Sequence, residues 1–173
     1  MVPLTSGFPP ILGPGARVLV LGSLPSVKSI ELRQYYGHPR NAFWSIMGEL
    51  FGAGRSLPYD ARKQVLIDHR VAVWDVLASS VRPGSMDAAI ERSSAAPNDF
   101  ETLFSDQPGI HTVFFNGQAA ARLFAGLVAP SLENGSNRRE YQALPSTSPA
   151  HAAMAFDQKL AAWRRVAEAA NHP

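Results

Sequence analysis

The feature that most limits how this chain folds is a set of short apolar runs without polar alternation. Arg17-Val18-Leu19-Val20-Leu21 runs into Gly22, and Val71-Ala72-Val73-Trp74 and Thr112-Val113-Phe114-Phe115 repeat the pattern. Tyr141-Gln142-Ala143-Leu144, ending at Pro145, is a fourth candidate. A strand with one wet face alternates apolar and polar side chains, whereas a strand covered on both faces does not. Between these runs, Phe43, Ile46, Met47, Leu50 and Phe51 recur at helical spacing, as do Ala120, Leu123, Phe124, Leu127 and Val128. Phe156, Leu160, Trp163, Ala167 and Ala170 mark a last helix, with Lys159, Arg164 and Arg165 mostly off its apolar stripe. Residues 60–68 and 99–106 are weaker helix candidates. Strands alternating with helices predict an α/β fold, a three-layer α/β/α sandwich around a short, mainly parallel sheet of about four strands. A length of 173 residues suits one domain, and the Pro- and Gly-rich residues 1–15 predict an arm lying over it.

Composition removes several chemistries. The chain has no cysteine, which excludes disulfides, thiolate zinc sites, iron–sulfur clusters and a Cys nucleophile. His38, His69, His111, His151 and His172 lack ligand spacing, so no metal and no cofactor is expected. There is no Gly-x-Ser-x-Gly elbow. No run approaches the ~20 apolar residues of a membrane span. The opening MVPLTSGFPPILGPG lacks the basic and apolar regions of a secretory leader, and a cytoplasmic location is expected. The net charge of +2 is compatible with nucleic acid but far from that of a charge-driven binder.

In a parallel sheet, ligands bind outside the carboxyl ends of the strands. That rule directs attention to residues 22–29, 75–84, 116–118 and 145–151. Gly22-Ser23-Leu24-Pro25-Ser26-Val27-Lys28-Ser29 is close to a phosphate loop, G-x-x-x-x-G-K-S. Val27 replaces the second glycine, where the backbone must wrap a phosphate, and Pro25 removes an N–H, so an NTPase reading is disfavoured. An ordinary strand-to-helix turn with serine caps is the simpler reading. Lys28 as a Schiff-base nucleophile has no neighbouring signal of a depressed pKa. Asp75 ends a strand on the functional side, where it either orients the Pro83-Gly84 loop or serves as a cap.

Two further segments stand out: Tyr35-Tyr36-Gly37-His38-Pro39-Arg40-Asn41-Ala42-Phe43-Trp44 and Leu144-Pro145-Ser146-Thr147-Ser148-Pro149-Ala150-His151. With Gly22-Ser23-Leu24-Pro25-Ser26 before them, they are similar to motifs of the uracil-DNA glycosylase superfamily. The nearest branch is the hypoxanthine-DNA (deoxyinosine) glycosylases, which share G-S-[FL]-P-S-x-K-S, Y-Y-G-H-P-x-N-x-F-W and L-P-S-T-S-P-A. The similarity runs in matching order over roughly residues 17–155. It implies a monofunctional, metal-free hydrolase that cuts the bond between a deaminated base and its deoxyribose. Hypoxanthine is the first-choice base, with uracil or xanthine as alternatives. The implied partner is DNA carrying such a base, with no membrane and a single copy of the chain. Two departures matter: Leu24 stands where most relatives have an Asp or Asn that handles water, and Leu144 where many have a His that steadies the leaving base. If they are real losses, the alternative is a weak or inactive nucleic-acid-binding module of the same fold.

The resemblance passes the catalytic duty to Asn41. An amide positions water through its carbonyl but is a poor base, which suffices where the transition state is already strongly electrophilic. The competing role for Asn41 is a cap for the helix opening near Ala42. For base binding the resemblance implies Tyr36 as a stacking platform, with Asn116 and the Gly22, Ser23 and Leu24 turn around the base. Asn116 can donate to a ring carbonyl and accept from the adjacent ring N–H, an edge that uracil and hypoxanthine share and that cytosine and adenine reverse. It too has a capping alternative. For DNA contacts it implies Pro25, Ser26, Lys28, His38, Arg40, Pro145, Ser146, Ser148 and His151, although a structural hydrogen bond is the safer reading for His38, and a proline-rich turn leading to a capped helix is the lesser alternative for residues 145–149. Tyr35, Phe43 and Trp44 are expected in the core.

Overall fold

The computed structural model describes residues 1–132 and 138–172. Its strands are β1 (Leu4–Ser6), β2 (Val18–Gly22), β3 (Val71–Asp75), β4 (Leu77–Val81), β5 (Ala96–Pro97), β6 (Thr112–Asn116) and β7 (Glu140–Leu144). Its helices are α1 (Val27–Leu32), α2 (Phe43–Phe51), α3 (Tyr59–Asp68), α4 (Phe100–Asp106), α5 (Gln118–Leu127), α6 (Ala129–Leu132) and α7 (Phe156–Asn171). The four apolar runs form one sheet in the order β3-β2-β6-β7, with every neighbouring pair parallel.

Side chains of successive strand residues point to opposite faces, and both faces are covered. Val18, Val20, Val71, Val73 and Phe114 meet Phe43, Trp44, Ile46 and Met47 of α2, Leu66 of α3, and Leu160, Trp163 and Val166 of α7. Leu19, Leu21, Ala72, Val113 and Phe115 meet Phe100, Leu103 and Phe104 of α4 and Ala120, Leu123 and Phe124 of α5. This is the three-layer sandwich that unbroken apolar strands demand. Each such side chain contributes ~1.5–3 kcal/mol on burial.

Register then fixes the functional edge. Gly22 lies opposite Asp75, Leu21 opposite Phe115, and Asn116 opposite Leu144, so the strands finish side by side.

Three features differ from the sequence reading. A second, antiparallel sheet in the order β1-β4-β5 takes residues from the expected arm and from the loop after β3. Further along the same segment, Ile11 exchanges hydrogen bonds of 2.8 and 2.9 Å with Val73. The strand-to-helix turn after β2 leads into α1, whose six-residue extent was not given by the sequence because a one-and-a-half-turn helix shows no periodicity. On α7 the buried stripe is Lys159, Leu160, Trp163, Val166 and Ala170, so Lys159 lies on it rather than off it, its long stem serving as apolar cover. Phe156, at the open end of α7, is 40% exposed.

Trp163 joins core and edge, being fully buried and donating from Nε1 to the carbonyl of Pro145 at 2.9 Å. Trp163→Ala is expected to lower unfolding stability by ~3–5 kcal/mol, read from chemical denaturation. Trp163→Phe, which keeps the ring but leaves that carbonyl unpaired, should lose a smaller ~1–3 kcal/mol.

Candidate active site

A small polar cavity of about 100 Å³ opens at the carboxyl edge of the parallel sheet. Drug-sized ligand pockets typically measure ~300–1,000 Å³, so this one suits a single ring system rather than a whole nucleotide. Five segments line it: residues 22–29 from the end of β2 onward, 35–41 before α2, the end of β3, the end of β6, and 146–148 after β7, with Ser85 and Asp87 on the rim.

Gly22 is required where it stands. A Cβ built there would lie 2.6 Å from Asp75 Oδ1 and 2.8 Å from the Tyr36 hydroxyl, so any larger residue would displace both from the cavity. The turn that follows is held from beneath by Arg82. This buried guanidinium donates to the carbonyls of Leu24, at 3.3 Å, and Pro25. Arg82 also pairs with Asp87 at 3.8 Å, and Asp87 in turn accepts from the Ser23 hydroxyl. Ser85 Oγ accepts from the Val27 N–H at 2.9 Å, which ties the 82–87 loop to the start of α1. Ser26 caps α1 by accepting from the Ser29 N–H, and Ser29 Oγ accepts from the Gly37 N–H, both at 3.1 Å. The first two motifs are thereby bonded to each other.

The 35–41 segment carries backbone strain. Tyr36 has φ +52°, an uncommon conformation for a bulky residue. Its surroundings hold it there. Trp44 Nε1 donates to the Tyr35 carbonyl at 2.7 Å, and the Tyr36 ring stacks on Phe43 with centroids 4.1 Å apart. Arg55 Nη2 reaches the carbonyls of Tyr36, His38 and Asn41 at 3.4, 2.8 and 3.1 Å. Tyr35, Phe43 and Trp44 are core residues as expected, with the Tyr35 hydroxyl donating to the Pro9 carbonyl at 2.9 Å.

The orientations of both asparagine amides follow from main-chain donors. The Phe43 N–H donates to Asn41 Oδ1 at 3.0 Å, closing an Asx turn one residue ahead of Ala42, the N-cap of α2, while the Asn41 side chain lines the cavity. The Thr147 N–H donates to Asn116 Oδ1 and Asn116 Nδ2 donates to Thr147 Oγ1, each at 2.9 Å. A main-chain N–H can only donate, so the oxygen positions of both amides are defined. Thr147 occupies one whole edge of the Asn116 amide, which leaves that amide one N–H and one lone pair pointing in different directions.

The electrostatics centre on Asp75, a buried residue at the end of β3. Burial pushes its carboxyl up to about 7, with Arg82 pulling the other way and Asp87 adding to the rise. Burial likewise raises the Tyr36 phenol well above its ordinary value, with the Asp75 charge adding to the rise. The Asn116 amide lies beside that phenol, yet the Tyr36 hydroxyl has no hydrogen-bond partner among the described residues.

Of the residues expected at the site, Gly22, Ser23, Leu24, Pro25, Ser26, Tyr36, Asn41, Asn116, Ser146 and Ser148 line the cavity. Lys28, His38, Arg40, Pro145 and His151 lie outside its lining. Lys28 pairs with Glu31 at 3.3 Å. His38 Nδ1 accepts from the Arg40 N–H at 3.1 Å, and His151 is exposed. The sequence reading missed Thr147, Ser29, Ser85 and Asp87 in the lining and the two clamps, Arg55 and Arg82. Asp75 was flagged only by its place at a strand end. Its Oδ2 has no hydrogen-bond partner among the described residues, while its main-chain carbonyl accepts from Asn98 Nδ2 at 2.8 Å.

Comparison with known proteins agrees with this geometry. Residues 9–169 match the model of the uracil DNA glycosylase superfamily. A protein of Methanosarcina barkeri named hypoxanthine DNA glycosylase is 34% identical over 148 residues, covering 81% of this chain and 92% of that protein. One of the same name from Methanosarcina acetivorans is 37% identical over 142 residues, covering 77% and 88%. The solution NMR structure of a uracil DNA glycosylase candidate from Methanosarcina acetivorans superposes with a TM-score of 0.79 at 32% identity, over 98% of this chain and 99% of that one. Sequence, fold and the order of the cavity-lining segments lead to one assignment: this chain belongs to the uracil DNA glycosylase superfamily.

Proposed function

We propose that the chain is a monofunctional DNA glycosylase that releases deaminated bases, hypoxanthine first among them, by hydrolysis of the N-glycosidic bond. The observation that carries this reading is the convergence of Asn41, Tyr36 and Asn116 on one cavity of single-ring-system size. The names of the Methanosarcina relatives support hypoxanthine as the base.

A base inside a duplex is out of reach, so the nucleotide must leave the stack before its bond is cut. In this reading the extruded base enters between Tyr36 and the Gly22–Pro25 turn. Asn116 makes one hydrogen bond to it rather than a matched pair, because Thr147 occupies the other amide edge. Asn41 keeps one lone pair of Oδ1 after capping Phe43, and this lone pair holds the attacking water. As the bond breaks, positive charge grows on the sugar; a pre-aimed carbonyl dipole favours that charge without moving. Ser146 and Ser148 accept local main-chain N–H groups at 3.1 and 3.2 Å, so both hydroxyl protons are free to donate to a phosphate. Lys28 and Arg40, on the surface beside the cavity, add attraction for the DNA backbone, with His38, Pro25, Ser26, Pro145 and His151 completing the contact surface. The reading needs no metal or cofactor.

The test is base release from matched oligonucleotides carrying one hypoxanthine, uracil or xanthine, scored as strand cleavage after alkali. Asn41→Ala is expected to slow release by on the order of 100-fold or more with DNA affinity retained, because a misplaced water costs about that much. No release from any of the three bases at excess enzyme would instead leave a nucleic-acid-binding module, in keeping with the apolar side chains of Leu24 and Leu144. Thr147→Val, which keeps the main-chain N–H on Asn116 Oδ1 but leaves Asn116 Nδ2 without its Oγ1 acceptor, should cost about 1–1.5 kcal/mol of transition-state binding, a roughly 5–10-fold slower single-turnover release of hypoxanthine.

A further inference from the structure

Two polar atoms at the Gly22 end of the cavity make no hydrogen bond among the described residues. Among the described residues that line it, Asp75 Oδ2 and the Tyr36 hydroxyl are buried side-chain atoms without a hydrogen-bond partner. Asp75 is 4% exposed. Its Oδ1 and the Tyr36 hydroxyl both face the bare α-carbon of Gly22, so no side chain of that residue screens the carboxyl from the cavity. A buried carboxyl without a partner is costly to keep, and the fold makes no hydrogen bond with this one. The neighbouring strand ends do not fill its place: Leu144 is apolar and buried, and Asn116 has given one amide edge to Thr147.

We infer that Asp75 is the general acid toward the leaving base, passing its proton to a ring acceptor of the purine as the N-glycosidic bond breaks. The inference rests on the glycosylase reading above and names the group that handles the departing base. In this step the carbon–nitrogen bond pair stays with the base, the Asp75 proton neutralises the charge that builds there, and water adds to the sugar carbon. The proton lost by that water restores the carboxyl through solvent, so one water is consumed and the protein is unchanged. The acid form is populated near neutral pH because burial raises the carboxyl to about 7. The ionisable groups facing it are the Tyr36 and Tyr35 phenols of the 35–41 segment, Arg82 beyond β4 and Asp87 on the rim. Of these, Arg82 favours the carboxylate and Asp87 opposes it.

The test is the pH profile of single-turnover hypoxanthine release between pH 5.5 and pH 9, for the wild type and Asp75→Asn, with the thermal unfolding midpoint of each as the check of folding. The wild-type rate should fall about tenfold per pH unit above about pH 7, as the acid form is lost. Asp75→Asn, which still donates a hydrogen bond but cannot release a proton, should be roughly 100-fold slower at pH 6 and lack that limb. The wild-type profile is informative even if the variant folds poorly. A flat wild-type profile, or a folded Asp75→Asn with the wild-type rate and the wild-type limb, overturns the assignment of Asp75 and leaves the glycosylase reading intact. No release by the wild type at any pH overturns both.

Discussion

Parallel pairing brings the site together. Because β2, β3, β6 and β7 run the same way in close register, Gly22, Asp75, Asn116 and Leu144 finish on one edge, and the segments leaving them must share the space beyond it. Residues far apart in the chain are thereby placed around one cavity before any of them contacts another. The register in turn depends on the two apolar faces. A one-residue slip of β2 would exchange Val18 and Val20 with Leu19 and Leu21 and put each set against the wrong helices.

What the sheet brings together, a few polar side chains then hold. Arg55 gathers three carbonyls of the 36–41 segment, Arg82 holds two of the first turn, and Thr147 fixes the Asn116 amide. At Tyr36 the chain passes through a left-handed conformation, with the Phe43 ring stacked on its side chain and Arg55 holding its carbonyl. A site of this kind carries its cost in the ground state and changes little when a ligand enters. That suits chemistry done mainly by positioning.

The parallel sheet, both helical layers and most of the cavity lining were legible in the sequence because their signals are local. Val18–Leu21 announces a doubly covered strand by itself, and Gly22-Ser23-Leu24-Pro25-Ser26 or His38-Pro39-Arg40-Asn41 is a contiguous motif. The antiparallel sheet was not legible, because Leu4–Ser6 is too short to show a period and Leu77–Val81 carries two serines and a register shift. Nor were Arg55, Arg82 and Thr147, whose partners come from other segments of the chain. Asn116 is instructive: its place was predicted, but the use of its amide edge by Thr147 follows only from the fold. Asp75 shows the same limit from the other side. A strand-end Asp is ordinary in sequence, and it becomes unusual only once its carboxyl proves buried, unpartnered and open to the cavity.

The central claim is that this cavity receives a base turned out of DNA. The most direct measurement is a crystal structure of the protein with a duplex carrying a cleavage-resistant 2′-fluoro-deoxyinosine. The account predicts the hypoxanthine ring inside the cavity against Tyr36, one hydrogen bond from Asn116, and a water on Asn41 Oδ1 beneath the sugar. A complex in which the deoxyinosine stays stacked in the duplex, or in which DNA lies on another face with the cavity empty, would contradict it.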